Sequence, residues 1–283
     1  MGISEFFSAS QDCLMCEQID EKVDKVTALF HAWQQGSLQF QPEMTAVRRI
    51  PVPGRPAKPV MVAAQSVDKR KLSTPDGRSA FVHSLAHIEF NAINLALDAA
   101  YRFRNMPRDF QGDWLKVAME EAQHFVMLRN HLRTMGHDYG DFTAHNGLWD
   151  MAVQTDHDPL VRMALVPRVL EARGLDVLPG IMHKFTSCGA TDTVKLLQKI
   201  HDDEIGHVAI GNRWYAWLCK ARQLEPVETF RTLLTQYKAD RFRGPFASDT
   251  RRAAGFSEAE LRMLEATFRA SDTPDTGTVT GAA

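Results

Sequence analysis

Two short motifs in the chain place a carboxylate and an imidazole one helical turn apart. Glu121 is followed three residues later by His124, and Glu204 is followed three residues later by His207. Residues with this spacing lie on the same face of an α-helix, so each pair presents two metal-binding side chains together. The repeated spacing predicts a metal-ligating pair on each of two helices.

The residues around each pair indicate that both pairs face a protein core. Polar groups inside an apolar stripe are costly unless they are partnered, and here two separate helices carry them. The stripe around the first pair comprises Trp114, Val117, Ala118, Phe125, Leu128 and Leu132, and the stripe around the second comprises Val194, Leu197, Ile200, Val208, Gly211, Tyr215 and Leu218.

Two further glutamates are predicted to point inward. Glu89 lies among apolar residues that include Ile93 and Leu97, and Glu171 lies between Leu170 and Ala172. Four buried carboxylates would repel one another and lose their hydration, so they require cations. We therefore predict a metal site formed by Glu89, Glu121, His124, Glu171, Glu204 and His207.

The types of these ligands favour particular metals. Carboxylate oxygens and imidazole nitrogens with few thiolates are typical of iron or manganese. One glutamate on one helix and a Glu-x-x-His motif on the next, occurring twice, is the ligand pattern of di-iron carboxylate proteins. We expect two iron ions, with manganese as the alternative at one or both positions.

Three more residues are candidates for an outer layer around the metal ligands. Glu120 and Asp203 each precede a ligating glutamate and lie about 100° away around the helix. They are either acceptors that orient the histidines or solvated surface acids. His87, two residues before Glu89, is the third candidate, and it forms an i,i+4 pair with His83.

The elements that must position these residues are four long helices. A 3.6-residue periodicity predicts them at residues 78–105, 109–135, 159–187 and 191–221, with a bend at Pro167 in the third. Short links join the first two and the last two helices, whereas residues 136–158 separate the second from the third. This pattern predicts an all-α fold, a four-helix bundle with one long crossover.

The segments outside the bundle divide the chain into three predicted regions. Residues 1–77 comprise a helix at 17–35 and a proline-rich basic arm, and residues 78–242 comprise the bundle and a following helix at 226–241. Residues 243–283 comprise a short helix opened by the capping box Ser257-x-x-Glu260 and a tail, disordered from about residue 271.

The arm carries a local excess of positive charge. Between Arg48 and Arg78 it contains eight basic residues against Asp68 and Asp76. It either contacts phosphates, for example those of a tRNA, or lies as a solvated arm over the bundle. The basic residues are Arg48, Arg49, Arg55, Lys58, Lys69, Arg70, Lys71 and Arg78.

The composition is that of an ordinary soluble globular protein. The formal net charge is -2, and no apolar run approaches the length of a membrane span. Four cysteines are too few for a disulfide framework, and Cys13-x-x-Cys16 has no second such motif with which to form a rubredoxin-like site. We expect a cytoplasmic protein.

Several short sequence motifs around the predicted ligands resemble those of an uncharacterised bacterial ferritin-like family. The resemblance covers roughly residues 45–256. It implies a ferritin-like fold and a di-iron site. The chain is also more distantly similar to the di-iron tRNA hydroxylase and to the rubrerythrin and ferritin superfamily. The motifs are His87-Ile-Glu, Tyr139-Gly-Asp-Phe, Leu148-Trp-Asp, Leu170-Glu-Ala-Arg-Gly-Leu-Asp and Asp203-Glu-Ile-Gly-His.

Departures from the related families narrow the function. Ribonucleotide reductase small subunits carry a radical tyrosine where this chain has Leu128, and storage ferritins are much shorter. We expect an O₂-activating, hydroxylase-like oxidoreductase that acts on a small molecule or a modified nucleotide and requires an electron donor. The alternatives are a ferroxidase or iron-binding protein, a peroxide-reducing protein, and a metal-free helical interaction scaffold. The crossover at residues 136–158 is a candidate wall of the substrate pocket.

Overall fold

The computed structural model describes residues 5–43, 46–68, 70–239 and 244–271, and in these ranges the fold is all-helical, with two isolated bridges and no strand. The predicted all-α class is therefore confirmed. No helix in the described part of the chain is long and apolar enough to cross a membrane. The α-helices are α1 Phe6–Met15, α2 Ile19–Gln34, α3 Pro75–Arg102, α4 Arg108–Thr134, α5 Gly147–Gln154, α6 Pro159–Leu165, α7 Ala172–Ser187, α8 Thr191–Ala221, α9 Pro226–Gln236, α10 Ser248–Ala253 and α11 Glu258–Ser271.

The four predicted long helices are present, with ends that their caps explain. α3 begins at Pro75, three residues earlier than predicted, because the Thr74 side chain accepts the Gly77 N–H and proline suits a first helical turn. α6 begins at Pro159, where the Asp158 side chain accepts the Leu160 N–H.

The third predicted helix is interrupted where a bend was expected. α6 and α7 are joined by a π-helical segment, Val166–Glu171, that contains Pro167. Proline has no N–H to donate to the preceding turn, and its ring crowds the carbonyl four residues back. An extra residue in the turn relieves that conflict.

Helices α4 and α8 pack side by side and run antiparallel. Three contacts define their register. As the residue number increases along α4, the number of its partner on α8 decreases, which is the pattern of antiparallel helices. The contacts are Asp113 to Trp214 at 2.7 Å, Glu120 to His207 at 3.0 Å, and His124 to Asp203 at 2.8 Å. Helix α3 packs along α4, and α7 packs along α8.

The N-terminal region differs from the prediction of a single helix. The expected helix is α2, which ends before Gly36 at a φ of 63°. A second helix, α1, precedes it, capped by the Glu5 side chain and packed through buried Phe6 and Phe7. At ten residues, α1 is too short for periodicity to distinguish it from a loop.

The C-terminal region contains the predicted capping box. The Glu260 side chain accepts the Ser257 N–H at 2.9 Å, and the Ser257 hydroxyl accepts the Glu260 N–H at 3.3 Å. Helix α11 is longer than predicted, and the helix predicted at 226–241 ends at Gln236. The tail predicted to be disordered, from residue 272 onward, lies outside the described residues.

Candidate metal centre

The four long elements bring the six predicted ligands to one level of the structure. Glu89 comes from α3, Glu121 and His124 from α4, Glu171 from the π-helical segment, and Glu204 and His207 from α8. The five on α-helices are nearly inaccessible to solvent, with exposures between 0% and 8%. This burial matches the inward orientation that the apolar stripes predicted.

Part of the set forms a compact group that could hold a metal ion. One potential ligand atom from each of Glu89, Glu121, His124 and Glu204 lies within 4.8 Å of the others. His207 lies beside this group, with its Nδ1 atom 3.0 Å from Glu121 Oε1 and 3.5 Å from Glu204 Oε1. Glu121 therefore lies next to both histidine rings, because its Oε2 is also 3.3 Å from His124 Nδ1.

Glu171 is outside the compact group but belongs to the same electrostatic environment. Burial raises its pKa well above the usual range, and repulsion from Glu204 and Glu121 raises it further. Such repulsion requires that the carboxyl groups lie near one another.

Four polar atoms of this cluster are buried without a hydrogen-bond partner among the described residues. They are Glu89 Oε2, Glu171 Oε2, Glu204 Oε2 and His207 Nδ1. Two of them face an ion-pair neighbour without forming a hydrogen bond: Glu89 Oε2 lies 3.4 Å from His124 Nδ1, and His207 Nδ1 lies 3.0 Å from Glu121 Oε1. Buried polar atoms are almost always partnered in folded proteins, because leaving one unpaired costs about 1–3 kcal/mol. Four such atoms within one cluster of acidic and imidazole side chains are typical of a ligand-binding site, and their chemistry suits a divalent metal.

The charges of the metal-free cluster are balanced by protons. Burial raises the pKa of Glu89, Glu171 and Glu204, and the negative charge of Glu121 adds to the increase in each. Burial also acts to raise the pKa of Glu121, but the charge of His207 and interactions with Glu89 and His124 hold it well below its usual range. Burial and mutual repulsion therefore favour the protonated forms of Glu89, Glu171 and Glu204.

The two histidines take up protons in the same balance. Burial opposes their charged forms, but the neighbouring carboxylates of Glu121 and Glu89 raise the pKa of His124 to about 11. For His207, the charges of Glu121 and Glu204 outweigh burial and raise its pKa well above the usual value. Metal ligation requires neutral imidazole and ionised carboxylate, so metal ions would replace these protons.

A second layer of carboxylates fixes the orientation of both imidazole rings. His124 Nε2 donates to Asp203 Oδ2 at 2.8 Å, and His207 Nε2 donates to Glu120 Oε2 at 3.0 Å. Each acid comes from the opposite helix of the α4–α8 pair. With Nε2 bonded outward, Nδ1 of each ring is left facing the buried carboxylates, the arrangement found around metal-ligating histidines.

Two surface lysines continue this layer and were not predicted. Lys116 donates to Glu120 at 2.6 Å, and Lys199 donates to Asp203. In both helices the lysine stands four residues before the acid. That spacing is readable from the sequence, since i,i+4 pairs of opposite charge are neighbours on a helix.

The third outer-layer candidate, His87, is directed elsewhere. Its Nδ1 atom lies 2.9 Å from the Tyr139 hydroxyl, and its Nε2 atom lies 3.0 Å from the His145 carbonyl oxygen. Its neighbour His83 accepts the Gly140 N–H at 3.0 Å. Both rings thus anchor the crossover loop, and neither is part of the compact ligand group.

The crossover loop and the basic arm pack against each other. Trp149 Nε1 donates to the Pro51 carbonyl at 3.1 Å, and Arg55 donates to the Asn146 side chain at 2.9 Å. Phosphate contact by the arm remains a prediction. Lys69, one of its basic residues, lies outside the described residues.

The cysteines have no part in the centre. None of the four forms a disulfide, and the metal-binding group found among the described residues contains no cysteine. Burial raises the pKa of Cys13 to about 12, so this thiol is inert at neutral pH. Cys13 and Cys16 are both buried and form no disulfide.

Comparison with known proteins places the chain among relatives without an assigned activity. A family model described as a protein of unknown function, DUF455, matches residues 15–262, a range that contains all six predicted ligands. An uncharacterised protein from Haemophilus influenzae is 50% identical over 216 residues, which cover 74% of this chain and 75% of that protein. No solved structure matches the chain.

Proposed function

The chain belongs to the DUF455 family, whose function is unknown, and we propose that it is a di-iron carboxylate protein that activates O₂ to oxidise an organic substrate. The observation that carries the proposal is the buried group of Glu89, Glu121, His124 and Glu204, together with three carboxylate oxygens and one imidazole nitrogen of the cluster that have no hydrogen-bond partner among the described residues. Cations of two or more charges satisfy all four at once.

The number of acidic groups supports two ions. Four carboxylates bring four negative charges into a buried site, and two divalent ions neutralise them. His124 would bind one ion together with Glu89, and His207 would bind the other with Glu171 and Glu204. Glu121 lies between the two histidines, with its two oxygens 3.3 and 3.0 Å from their Nδ1 atoms, and would contribute to holding the ions.

The helix arrangement supports a ferritin-like fold. Two hairpins, α3–α4 and the α6 to α8 hairpin, are joined by one long connection, and each supplies one lone glutamate and one Glu-x-x-His motif. In di-iron bundles, ligands project inward from facing helices in this way. Contacts between the hairpins, such as His207 with Glu120, bring the two halves of the ligand set together.

The chemistry that two bound iron ions supply is the activation of O₂ for attack on a nearby C–H bond. The protein residues perform the positioning. Asp203 and Glu120 hold the imidazole rings, and the apolar residues around the ligands, including Phe125 and Leu128, exclude water from the centre. A dry site prevents the loss of oxidising power to solvent.

Elemental mass spectrometry on the protein from iron-replete cells tests the metal. We expect close to two irons per chain, loss of both in a Glu121→Ala, Glu204→Ala double variant, and no loss in the control Glu17→Ala, which changes an exposed glutamate. Manganese in place of iron would change the identity of the metal and keep the site. A well-folded wild-type protein that contains neither metal would refute the proposal and leave a helical scaffold.

Oxygen consumption by the iron-loaded, reduced protein tests the reaction class. A hydroxylase-like enzyme consumes little O₂ without its organic substrate, and small molecules and modified nucleosides are the substrates to screen. Rapid consumption in their absence, with ferric ion as the product, would assign a ferroxidase instead. Rapid turnover of hydrogen peroxide would assign a peroxidase.

A further inference from the structure

One proposed ligand, Glu171, is held differently from the others. It is the last residue of the π-helical segment Val166–Glu171, in which the Ala172 N–H donates to the Pro167 carbonyl five residues back. Its Oε2 atom is buried without a hydrogen-bond partner among the described residues. No such bond therefore fixes this oxygen, and the path of the backbone must direct it.

The register of the segment controls the direction of that side chain. Adding or removing one residue in a helical turn rotates all following side chains by about 100°. If the segment returned to α-helical hydrogen bonding, Glu171 would point away from Glu204 and His207. A π-helical turn is intrinsically less favourable than an α-helical one, so other contacts must maintain it.

Arg168, inside the segment, makes contacts that can maintain it. Its side chain is buried, and its guanidinium carbon lies 4.0, 4.2 and 4.9 Å from three ring centroids. Guanidinium groups are attracted to aromatic faces at these distances. The three rings belong to Tyr215, Phe230 and Phe256 and come from α8, α9 and the turn before α11.

The charge of Arg168 is met by Glu260 from the C-terminal helix α11. The Nη2 atom of Arg168 donates to Glu260 Oε1 at 2.5 Å, and both side chains are buried. The other oxygen, Oε2, accepts the N–H and the hydroxyl of Ser257, each at 2.9 Å. Glu260 is thereby fixed by its own helix cap, and it ties α11 to the π-helical segment.

We propose that Glu260 and Arg168 form a clamp that keeps Val166–Glu171 in its π-helical register and so positions Glu171 for metal binding. This inference rests on the proposed function. Both are positioning residues, because they contact each other, aromatic rings and Ser257 rather than the ligand cluster. The clamp makes the C-terminal helices part of the metal site, although α11 supplies no ligand.

A double-mutant cycle on metal binding tests the clamp. The four proteins are the wild type, Glu260→Gln, Glu171→Ala and the variant with both changes, and the probe is Fe²⁺ titrated anaerobically against a chelator. Glutamine keeps the size of Glu260 and can still accept from Ser257, but it removes the charge that faces Arg168. The control is Glu258→Gln, which changes an exposed glutamate of the same helix that pairs with Arg252.

We expect Glu260→Gln to weaken the binding of one of the two ions by about tenfold or more, the scale typical of outer-layer changes. In the Glu171→Ala background the same change should have no further effect. An equal loss in both backgrounds, or unchanged affinity despite lowered thermal stability, would reduce the clamp to a structural ion pair and overturn the inference.

Two outcomes of the Fe²⁺ titration distinguish failure of the proposed function from failure of the clamp inference alone. If the wild type binds no Fe²⁺, the proposed function fails first, and the inference falls with it. If the wild type binds and Glu171→Ala does not weaken binding, Glu171 is not a ligand and only the inference fails. Should Glu260→Gln not fold, Arg168→Lys replaces it, since lysine keeps the charge but loses the planar stacking.

Discussion

The Nε2 atom of His124 on α4 lies 2.8 Å from the Oδ2 atom of Asp203 on α8. A carboxylate accepts but does not donate, so this contact places a proton on Nε2 and leaves Nδ1 directed at Glu121 and Glu89. One hydrogen bond thus joins two helices, orients the ring and leaves Nδ1 as the nitrogen that could bind a metal. His207 and Glu120 make the matching contact in the opposite direction.

Asp203→Asn is expected to weaken metal binding by about 10–100-fold while leaving the ligands themselves intact. An amide is a weaker acceptor than a carboxylate, so the ring loses both its orientation and part of its basicity. Chelator competition with Fe²⁺ measures the change. The control is Asp202→Asn, which alters the neighbouring, exposed acid; a similar loss in both variants would contradict the role of Asp203.

Metal binding is expected to release protons and to tighten as pH rises. In the metal-free centre, burial raises the pKa values of Glu89, Glu171 and Glu204, and the neighbouring carboxylates raise that of His124 to about 11. His124 therefore holds a proton at neutral pH, and the raised pKa values favour protonated carboxyl groups; metal ions must displace these protons, so a higher pH favours binding. Calorimetry in buffers with different ionisation enthalpies counts the protons, and a count of zero would contradict the protonated cluster.

Gly211→Ala is expected to destabilise the protein by about 1–3 kcal/mol, as overpacking does. A Cβ atom at this position would lie 2.4 Å from Cβ of Pro167, a rigid ring in the π-helical segment. Gly206→Ala is the matched control on the same helix, because no atom lies within 4 Å of its Cβ. Urea denaturation of both variants should show a loss for Gly211→Ala and no loss for Gly206→Ala.

Lys22→Met is expected to destabilise the N-terminal region by about 1–3 kcal/mol. The buried Nζ atom donates to the carbonyls of Cys13 and Leu14 at 2.9 Å and to Asn94 Oδ1 at 2.8 Å, joining the end of α1 to α3. Methionine fills the space but removes the Lys22 donor from these three oxygens, of which the Cys13 and Leu14 carbonyls keep the N–H groups of Cys16 and Gly54 at 3.3 and 3.0 Å. Chemical denaturation measures the loss, and equal stability would show that water satisfies them.

The same variant has a pH signature. Burial lowers the pKa of Lys22 to about 7, below the unfolded value of about 10.4. Between these values the unfolded chain binds the extra proton, so this lysine adds stability as pH rises. The deficit of Lys22→Met relative to the wild type should therefore be larger at about pH 9 than at about pH 7. A constant deficit would mean that the buried pKa is not lowered.

The sequence alone determined the four long helices and the inward direction of the two Glu-x-x-His pairs. Helical periodicity is a local property, and a polar pair inside an apolar stripe can be seen without knowing what packs against it. For Glu120 and Asp203, the sequence allowed two interpretations, acceptors that orient the histidines or solvated surface acids, and it could not decide between them. That choice depended on the register of α4 against α8, which no local pattern specifies.

Tertiary structure alone decided which distant residues meet. His124 with Asp203, and Arg168 with Glu260, are contacts between segments 79 and 92 residues apart. The direction of His87 was decided in the same way, because the crossover loop packs against α3 and places Tyr139 and His145 within hydrogen-bonding distance of its ring. Hydrophobic periodicity shows that a residue is buried, but its partner is set by how whole helices pack and by where loops close.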